Sequence, residues 1–289
     1  MRASHPVEHP ARLLDFLLAS RPDVTRTRMR QWLKHGSVLV NGQAVTGANH
    51  RVHTGDTVSI QKKGEGTSDR SLPLGLRIVF EDASIVVIDK PVHLLSVASQ
   101  KEREKTAFVI LTDYVRRGTP RRAGRVWIVH RLDRDTSGLM VFAKTRAEKL
   151  TLQASWNSVD KRYLAVVEGR PPTERGVLRS HLDERNPHKV RSAPPGERTR
   201  PAVTAYRTVA RSATCTVLEL SPETGRRNQL RVQLADANCP IVGDQKYGAT
   251  TDPAQRLGLH ATSLQFTHPT TGERLSFESP LPPALSQLL

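Results

Sequence analysis

One polar segment divides the chain into two parts. Residues 62–75 read KKGEGTSDRSLPLG, a stretch rich in Gly, Ser and Pro that offers few apolar side chains for burial. Such a composition is typical of a linker between domains. The chain of 289 residues is long enough for two domains, so we predict a small domain at 1–62, a linker at 63–75 and a larger domain at 76–289.

The charge balance indicates a polyanionic partner. Lys and Arg number 44 against 28 Asp and Glu, which gives a formal net charge of +16 with His neutral. An excess of this size attracts nucleic acids first and an anionic membrane surface second. No apolar run approaches the ~18 residues that a membrane helix needs. Asp15 interrupts the apolar stretch near the N-terminus, so we expect neither a membrane span nor a signal peptide.

Several classes of protein lack their signatures in this sequence. Cys215 and Cys239 belong to no CxxC pair, so we expect neither a disulfide framework nor a cysteine zinc site, and a cytoplasmic location follows. The pattern GxxxxGK followed by Ser or Thr is absent, and so is the HxE and PCxxC combination of zinc deaminases. P-loop chemistry and zinc-dependent deamination are therefore excluded.

The small domain is predicted to contain two helices followed by a hairpin. Apolar residues dominate 11–19, and Thr25 is a suitable N-cap for a second helix. Asn41-Gly42 between two short apolar runs predicts a tight β-turn, and Thr57–Ile60 predicts a further strand. Like charges four residues apart on a helix repel each other, so a basic stripe is easier to explain if phosphates neutralise it. The second helix carries such a stripe at Arg26, Arg30 and Lys34.

This order of elements is similar to the S-four-like RNA-binding domain, which takes its name from a protein of the small ribosomal subunit. The resemblance covers about residues 10–61 and rests on three segments, Thr25–Arg28, Gly36–Gly42 and Gly55–Val58. It implies that the basic stripe binds RNA. An ordinary small α/β module without this role is the alternative interpretation.

In the larger domain, short apolar runs alternate with polar turns, which indicates a sheet. We predict strands at residues 78–80, 85–88, 126–130, 139–143 and 162–168. Helices are predicted from Thr145, as the N-cap of a capping box, to about Ser158, and over 230–237. Arg131–Gly138 is a short polar connection between two strands, so its side chains are expected at a sheet edge.

Residues 169–200 combine several prolines with many basic side chains, and we predict that they form a mobile basic loop. Its basic residues are Arg170, Arg175, Arg179, Arg185, Lys189, Arg191, Arg198 and Arg200. A solvated insertion without a role is the alternative interpretation.

The residues His130-Arg131-Leu132-Asp133 allow three interpretations when they are taken alone. A metal site would need a second cluster of ligands at a suitable spacing, which the sequence lacks. A structural Arg–Asp pair on the turn is the second interpretation, and a catalytic carboxylate is the third.

Five segments, in the same order, resemble the RluA-type pseudouridine synthases over about residues 76–283. They are Glu81-Asp82 with Asp89–Pro91, His130–Leu139 with Ala143-Lys144, Lys161–Ala165 with Gly169, Thr224–Val232 with Pro240–Asp244 and Lys246–Gly248, and Leu259–Ala261 with Phe266–Pro269. The resemblance implies an α+β fold, in which helices flank a mixed and largely antiparallel β-sheet beside the small α/β RNA-binding domain. It also implies an isomerase that converts uridine to pseudouridine in RNA.

By this resemblance, Asp133 is the catalytic residue. The reaction breaks the glycosidic bond of uridine, turns the uracil and rejoins it through carbon 5, so it implies neither a cofactor nor a metal. A carboxylate with a reference pKa of about 3.9 is ionised at neutral pH and can attack the sugar or the base, or remove a sugar proton. The resemblance further implies three supporting residues: Tyr163 beside the base, Arg231 as the basic partner of Asp133, and Arg131 in the space that the base vacates. Arg226 belongs to the basic excess beside the third motif, and we expect it to bind RNA.

The chain departs from the family pattern at three positions. Asn228 and Gln233 stand where His is common, and His93 stands where Gly is frequent after Lys-Pro. The three catalytic positions are unchanged, so we expect activity, with either altered local contacts near Asn228 and Gln233 or an altered choice of substrate. Around His93 we expect a different loop shape.

Two other functions remain open. A non-catalytic RNA-binding protein would not need Asp133, Tyr163 and Arg231 together. A glycosidase would need carboxyl groups about 5–10 Å apart across its sugar, which is awkward for Asp133 and Asp135 on one turn.

Family members with the S-four-like domain commonly act on large-subunit ribosomal RNA. We therefore expect that substrate, with transfer RNA as the alternative, and a monomeric protein.

Overall fold

The computed structural model describes residues 4–22, 24–34, 38–60, 70–100, 102–117 and 124–289. Contacts divide the chain into two compact units, Met1–Thr67 and Ser68–Leu289. Residues 63–69 of the predicted linker lie outside the described residues. Its other residues belong to the larger unit, where Arg70–Ser71 form a strand and Pro73–Gly75 form a 3₁₀ turn.

The smaller unit combines two helices with short strands. Its elements are β1 (Ser4–Pro6), β2 (Ala11–Arg12), α1 (Leu13–Ser20), α2 (Arg26–Lys34), β3 (Val38–Val40), β4 (Gln43–Ala44), β5 (Arg51–Val52) and β6 (Thr57–Ile60). One sheet has the order β1-β6-β3-β4, and β2 pairs with β5. Asn41 and Gly42 join β3 to β4 with positive φ at both residues, so the predicted turn is confirmed. Residues 35–37 of the S-four-like pattern lie outside the described residues.

The two helices of the smaller unit enclose its core. Leu13, Leu17, Met29 and Leu33 are at most 1% exposed, because each helix turns its apolar residues to the same cluster. The stripe residues Arg26 and Arg30 are exposed on α2, while the side chain of Lys34 lies outside the described part of the chain.

The larger unit is built around one sheet. Its elements are β7 (Arg70–Ser71), β8 (Arg77–Glu81), β9 (Ile85–Lys90), α3 (Ala107–Arg117), β10 (Trp127–Ile128), β11 (Ser137–Ala143), α4 (Arg146–Ala154), β12 (Asp160–Glu168), β13 (Arg175–Asp183), β14 (Arg191–Ser192), β15 (Arg200–Arg211), β16 (Cys215–Pro222), α5 (Gln229–Asp236), β17 (Leu259–Thr267), β18 (Arg274–Glu278) and α6 (Pro283–Ser286). In the described residues the sheet has 12 strands, in the order β14-β13-β15-β16-β12-β17-β11-β9-β8-β7, with β10 on β11 and β18 on β17. Among these strand pairs β11 and β17 alone run parallel, so the prediction of a mixed, largely antiparallel sheet is confirmed.

The central strands β9 and β11 are buried on both faces. Every residue of Ile85–Ile88 is 0% exposed. Val86 and Ile88 pack in the cluster that includes α3, and Ile85 and Val87 pack in the cluster that includes α4. Strands covered on both faces have continuous apolar sequences, and each fully buried side chain of this kind contributes roughly 1.5–3 kcal/mol.

The strand predicted at 126–130 is shorter in the structure. β10 pairs with β11 only through Trp127 and Ile128. Farther along β11, the backbone N–H of Val141 donates to Nε2 of His130 at 3.1 Å. Because a side chain occupies this ladder position, the pairing ends and the turn toward β11 begins. The helix capped by Thr145 likewise ends early, at Ala154, although its capping box is present as predicted.

The prediction of a mobile loop at residues 169–200 is wrong. The segment contains β13 and β14, and β13 pairs with both β14 and β15. Arg227 fastens the β13–β14 turn, because its guanidinium donates to the carbonyl oxygens of Glu184 at 2.8 Å, Asn186 at 2.6 Å and Pro187 at 3.3 Å. These partners lie 40 to 43 positions from Arg227 in the sequence, so local composition could not indicate them.

Candidate active site

Asp133 lies on the connection between β10 and β11, and both of its neighbours are tied down. The hydroxyl of Ser96 donates to the carbonyl of Leu132 at 2.7 Å and accepts from its N–H at 3.1 Å. The Nζ of Lys90 donates to the carbonyl of Arg134 at 3.1 Å. The backbone under the Asp133 carboxyl group is therefore held from both sides.

Lys90 is a fully buried cation beneath this turn. Besides Arg134, its Nζ donates to the carbonyl oxygens of Leu94 at 2.8 Å and Pro91 at 2.9 Å. Burial lowers the pKa of Lys90 to about 7, although the nearby carboxylates of Asp135 and Asp133 act in the opposite direction. Lys90 thus joins the turn to the segment that follows β9.

Gly138 sets how closely β11 approaches β17. It has a φ of +114°, and a Cβ at this position would lie 2.3 Å from the carbonyl oxygen of Ala261, its partner in the parallel pair. Any side chain would therefore clash with the β17 backbone. Gly138 stands at the end of the polar connection and lets the turn of Asp133 lie directly against β17. That strand also pairs with β12.

The three predicted catalytic residues line one cavity. Asp133, Tyr163 and Arg231 surround a space of about 110 Å³ together with Arg131 and Arg226. Arg131 is exposed, and Nε of Arg226 donates to the carbonyl of Pro201 at 3.3 Å. The other predicted RNA-binding residues, Arg26, Arg30 and Lys34, belong to α2 of the smaller unit.

Two opposing effects act on the Asp133 carboxyl group. Burial raises its pKa, because the charged form loses contact with water. The positive charges of Arg231, Arg131, Lys246 and Lys90 act in the opposite direction and favour the ionised form. The site therefore combines a poorly hydrated carboxyl group with a basic surrounding, which is typical of reactive carboxylates.

Tyr163 reaches the cavity at an irregularity of the sheet. The register between β12 and β17 shifts between Arg162 and Tyr163, and such a shift redirects side chains locally. The Tyr163 ring packs against two hydrophobic clusters. Burial raises the pKa of Tyr163, and the nearby Asp133 charge raises it further, so the phenol stays protonated over the physiological range.

Arg231 has a direct carboxylate partner, and that partner is not Asp133. Its Nε and Nη2 donate to the two carboxylate oxygens of Asp244 at 2.7 Å and 2.6 Å. Neither a hydrogen bond nor an ion pair joins Arg231 to Asp133, although both line the cavity. The positive charge of Arg231 acts on Asp133 at longer range, through electrostatic attraction, and its role as the basic partner of Asp133 stays a prediction.

The two polar departures from the family pattern have different surroundings. Asn228 lines the cavity in the left-handed conformation, with a φ of 52°, and its Nδ2 donates to the hydroxyl of Tyr247 at 3.0 Å. Gln233 lies away from the cavity and is 2% exposed. Its Oε1 accepts from the hydroxyl of Thr204, and its Nε2 donates to the carbonyl of Leu178 among other partners. Gln233 therefore joins α5 to the sheet by hydrogen bonds.

His93 and Asp135 form a contact beside the turn. His93 has a φ of 66°, so it adopts the glycine-type conformation at the position where glycine is frequent in the family. Its Nδ1 lies 3.1 Å from Oδ1 of Asp135, which also accepts from Nε of Arg134. Asp135 does not line the cavity, which weighs against a glycosidase built on Asp133 and Asp135.

Sequence reasoning missed four polar residues that act on Asp133 or contact Arg231. Lys90, Asp244, Lys246 and Tyr247 all lie in segments that resemble family motifs, yet nothing in the sequence assigned them a role. Their partners are distant in sequence or become neighbours only through packing, as with Arg231 and Asp244. Their position within segments that resemble family motifs was the one signal by which the sequence could have identified them.

In the part of the chain that the structure describes, no group of three or more His, Cys, Asp or Glu residues could hold a metal ion. No helix in the same residues has the length and apolar character needed to cross a membrane.

Comparisons with known proteins identify the family. Residues 84–236 match the family model described as RNA pseudouridylate synthase, and residues 11–58 match the S4 domain. Ribosomal large subunit pseudouridine synthase D of Neisseria meningitidis serogroup B is 33% identical over 302 aligned residues, which cover 98% of this chain and 79% of that protein. The Bacillus subtilis protein called uncharacterized RNA pseudouridine synthase YlyB is 33% identical over 288 residues, with 96% and 93% coverage.

A solved structure shows the same fold. Human RNA pseudouridylate synthase domain containing 4 superposes with a TM-score of 0.61 at 24% identity, covering 72% of this chain and 90% of that one. The family model spans more than half of the chain, and the relatives span nearly all of it. The chain therefore belongs to the RNA pseudouridine synthases, isomerases that convert uridine to pseudouridine in RNA, and it carries an N-terminal S4 domain.

Proposed function

We propose that this protein isomerises specific uridines in structured large-subunit ribosomal RNA, with Asp133 as its catalytic residue. One observation carries the proposal. The Asp133 carboxyl group lies on a turn whose flanking residues are tied down, and it lines a cavity shared with Tyr163 and Arg231. Catalysis needs a reactive group held in one geometry, and this arrangement supplies it.

The surroundings of Asp133 suit a carboxylate that acts on the uridine. The positive charges of Arg231 and Arg131 favour its ionised form, while burial limits its hydration. A carboxylate of this kind can attack the sugar or the base, or take a sugar proton as the glycosidic bond breaks. Each route starts from the same ionised group.

Tyr163 and Arg231 complete the proposed catalytic set. The raised pKa of Tyr163 keeps its hydroxyl protonated, so it acts as a hydrogen-bond donor or proton carrier rather than as a base near neutral pH. Its ring offers an apolar surface on which the uracil can stack. Arg231 supplies positive charge to the same cavity.

A uridine in folded RNA must leave its stack to reach this cavity, at a cost of roughly a few kcal/mol. Arg131 is exposed at the cavity and is suited to occupy the vacated space. We propose that Arg226 binds RNA at the same cavity and that Arg26, Arg30 and Lys34 bind phosphates through α2. Phosphate contacts fix the register of the RNA without reading its bases.

Two observations support ribosomal RNA over transfer RNA as the substrate. The Neisseria relative is named as a ribosomal large subunit enzyme and matches almost the whole chain. The S4 domain at residues 11–58 adds a second RNA-binding surface, which suits a large structured RNA. We also propose that the protein acts as a monomer in the cytoplasm.

The proposal is tested with two matched substitutions on one turn. Asp133→Asn keeps the side-chain shape but removes the carboxylate, so we expect RNA binding to persist while the rate of pseudouridine formation falls by ~10,000-fold or more. Asp135→Asn is the control, because that carboxyl group is outside the cavity, and we expect it to retain activity. Pseudouridines are mapped chemically in purified large-subunit ribosomal RNA and in transfer RNA.

Three results would contradict the proposal. Pseudouridine formation by Asp133→Asn at the normal rate would remove the assignment of Asp133. Modification of transfer RNA but not of ribosomal RNA would overturn the substrate. If the wild-type protein binds RNA but forms no pseudouridine, the result would favour the non-catalytic alternative.

A further inference from the structure

A chain of side-chain hydrogen bonds crosses the sheet behind the candidate active site. Ser137 begins β11, His260 lies in β17, and Ser279 follows β18. The hydroxyl of Ser137 lies 2.8 Å from Nδ1 of His260, and Nε2 of the same ring lies 3.1 Å from the hydroxyl of Ser279. All three residues are at most 4% exposed, so these hydrogen bonds are shielded from water.

Each end of this chain has a charged partner. At one end, Nη2 of Arg256 donates to the hydroxyl oxygen of Ser137 at 2.6 Å. At the other end, the hydroxyl of Ser279 donates to Oδ2 of Asp89 at 2.9 Å. The histidine therefore links a cationic end of the chain to an anionic end.

The two ends determine which nitrogen of His260 carries the proton. A serine hydroxyl has one proton to donate. Ser279 donates its proton to Asp89, so its oxygen accepts from Nε2 of His260. Because Arg256 already donates to the oxygen of Ser137, the proton of Ser137 is directed to Nδ1 of the ring. All the hydrogen bonds then run in one direction, and they require the neutral Nε2–H form of the imidazole.

The surroundings of His260 favour this neutral form. Burial lowers the pKa of His260 to about 4, and the guanidinium groups of Arg256 and Arg77 act in the same direction. The carboxylate of Asp89 and a hydrogen bond with the backbone of Ser279 act in the opposite direction. The ring therefore stays neutral over the physiological pH range.

His260 stands where the strands of the site meet. In the register of the sheet it is opposite Ser137 of β11 on one side and opposite Leu164 of β12 on the other. Ser137 begins its strand directly after the turn that carries Asp133, and Leu164 follows Tyr163 in the sequence. A displacement of Ser137 would therefore move the Asp133 turn relative to the Tyr163 ring.

The backbone contact between β11 and β17 is short. It comprises the pairs Ser137–His260 and Gly138–Ala261, whereas β11 pairs with β9 along the whole of Gly138–Ala143. Parallel pairing is also slightly less stable per residue than antiparallel pairing. The side-chain hydrogen bonds therefore add substantially to the contact between these two strands.

We propose that His260 is a positioning residue for the isomerisation: it joins Ser137 to Ser279 and thereby holds the turn of Asp133 at a fixed place relative to Tyr163. The inference rests on the proposed function, in which Asp133 reacts. His260 is not among the residues that line the cavity, so it touches neither the uridine nor the reacting atoms. It acts through Ser137.

Two matched substitutions at opposite ends of β17 test this role in the full-length protein. His260→Leu removes both hydrogen bonds and keeps a side chain of similar size. His268→Leu is the control, because His268 is also buried and its Nε2 lies 2.9 Å from Oδ2 of Asp82, beyond the far end of the strand. Both variants should lose stability in urea unfolding, since each leaves buried polar partners unsatisfied.

Only His260→Leu should lower kcat on ribosomal RNA. We expect a fall of about 10- to 100-fold with little change in KM, because a misplaced reacting group slows the chemical step without weakening RNA binding. A purely structural role would instead lower the stability of both variants and leave kcat of the folded protein unchanged in both.

A smaller substitution tests the same link from its other side. Ser279→Ala deletes one hydroxyl and leaves the backbone bonds between Ser279 and Thr262 in place. We expect kcat to fall by about 5-fold, the equivalent of one hydrogen bond. Ser84→Ala is the matched control, because Ser84 is also buried and its hydroxyl bonds to Thr270 at 2.9 Å, away from the cavity. Ser279→Ala combined with His260→Leu should be no less active than His260→Leu alone.

Nitrogen-15 NMR of the histidine rings tests the direction of the hydrogen bonds. From pH 8 to pH 6 the His260 ring should give the signals of the neutral Nε2–H form. Signals of the Nδ1–H form or of a charged ring in this range would overturn the inference.

The kinetic outcomes separate this inference from the proposed function. A normal kcat in His260→Leu, or an equal loss of kcat in His268→Leu, would overturn the positioning role even if Asp133→Asn is inactive. If His260→Leu does not fold, Ser279→Ala decides, because a lower kcat than that of Ser84→Ala supports the inference and an equal kcat contradicts it. An active Asp133→Asn would instead remove the proposed function.

Discussion

At the scale of single residues, Lys90 shows how a buried charge can organise a site. Its ammonium group donates to three carbonyl oxygens, and one of them belongs to Arg134, next to Asp133. These bonds compensate for part of the loss of hydration, and the remainder appears as a pKa lowered to about 7 by burial. The position of the turn thus depends on a group that changes charge near neutral pH.

The lowered pKa of Lys90 predicts how stability varies with pH. As the pH rises through about 7 the folded protein loses the Lys90 proton, whereas the unfolded chain keeps it up to its ordinary pKa of 10.5. The unfolded state therefore binds more protons in this window, and the contribution of Lys90 to stability rises with pH. Between pH 7 and 10 the free energy of unfolding of the wild-type protein should therefore rise by up to about 1.4 kcal/mol per pH unit, relative to that of Lys90→Met.

Urea unfolding at a series of pH values measures this difference. Lys105→Met makes the same substitution at an exposed position and serves as the control. A stability difference between Lys90→Met and the unmodified protein that stays constant from pH 7 to 10 would contradict the lowered pKa.

Some residues of the site could be predicted from sequence and others could not. Asp133, Tyr163 and Arg231 stand at recognisable positions of motifs, and they line one cavity. The ties that hold them are invisible in sequence because they join distant positions. Lys90 and Arg134 are 44 positions apart, and Arg231 and Asp244 are 13 apart, with nothing in either segment to mark the pairing.

At the scale of elements, the β13–β14 hairpin shows where composition misleads. Pro187 and the many charged residues of the hairpin are typical of a loop, yet β13 pairs along its length with β15. Arg175, Val177 and Arg179 are exposed while Leu182 is buried, so the outer face of this strand is largely charged. Pairing with β15 decided the structure, and local preference did not.

Two adjacent arginines should separate hairpin stability from RNA binding. Arg227→Met removes the side-chain donors to the carbonyl oxygens of Glu184, Asn186 and Pro187. The free energy needed to open the β13–β14 turn should therefore fall by about 2 kcal/mol or more. Arg226→Met removes one longer bond to Pro201 and should weaken RNA binding without loosening the turn.

Hydrogen exchange at the amides of residues 184–186 and 188–190 measures the opening, and filter binding measures RNA affinity. Equal exchange rates in the two variants would show that Arg227 does not fasten the turn. A normal affinity in Arg226→Met would remove that residue from the RNA-binding set.

At the scale of the whole molecule, the net charge of +16 is spread over both units. The smaller unit exposes Arg26 and Arg30 on α2, and the larger unit exposes Arg131 at the cavity. Binding through several phosphates releases counterions from the RNA, so affinity should depend strongly on salt.

Removing the α2 stripe should therefore change the salt dependence of binding. For each phosphate that the protein no longer neutralises, the slope of log affinity against log salt should fall by ~0.7–0.9. Arg26→Gln combined with Arg30→Gln should reduce the slope accordingly, whereas Arg146→Gln combined with Arg274→Gln, two exposed arginines of the larger unit, should leave it unchanged. Identical slopes for the two double variants would reject a phosphate-binding role for α2.

Much of the sheet could be predicted at this scale, but its order could not. The apolar runs of β9 and β11 mark strands because both faces of each are buried. The parallel contact between β11 and β17 depends instead on Gly138, whose missing side chain makes room for the backbone of Ala261. A glycine in a sequence shows where such an approach is allowed, but it does not name the partner strand.

The place of β17 in the sheet also determines when the site can form during folding. β17 lies between β11 and β12, and Ser137 pairs with His260, 123 positions away. Contacts of such high sequence separation form slowly, because the closure of a long loop precedes any gain from pairing. The turn of Asp133 and the strand of Tyr163 are thus joined only after the chain has been synthesised beyond residue 261. A nascent chain shorter than this can present the S4 domain to RNA before it has a cavity in which to modify it.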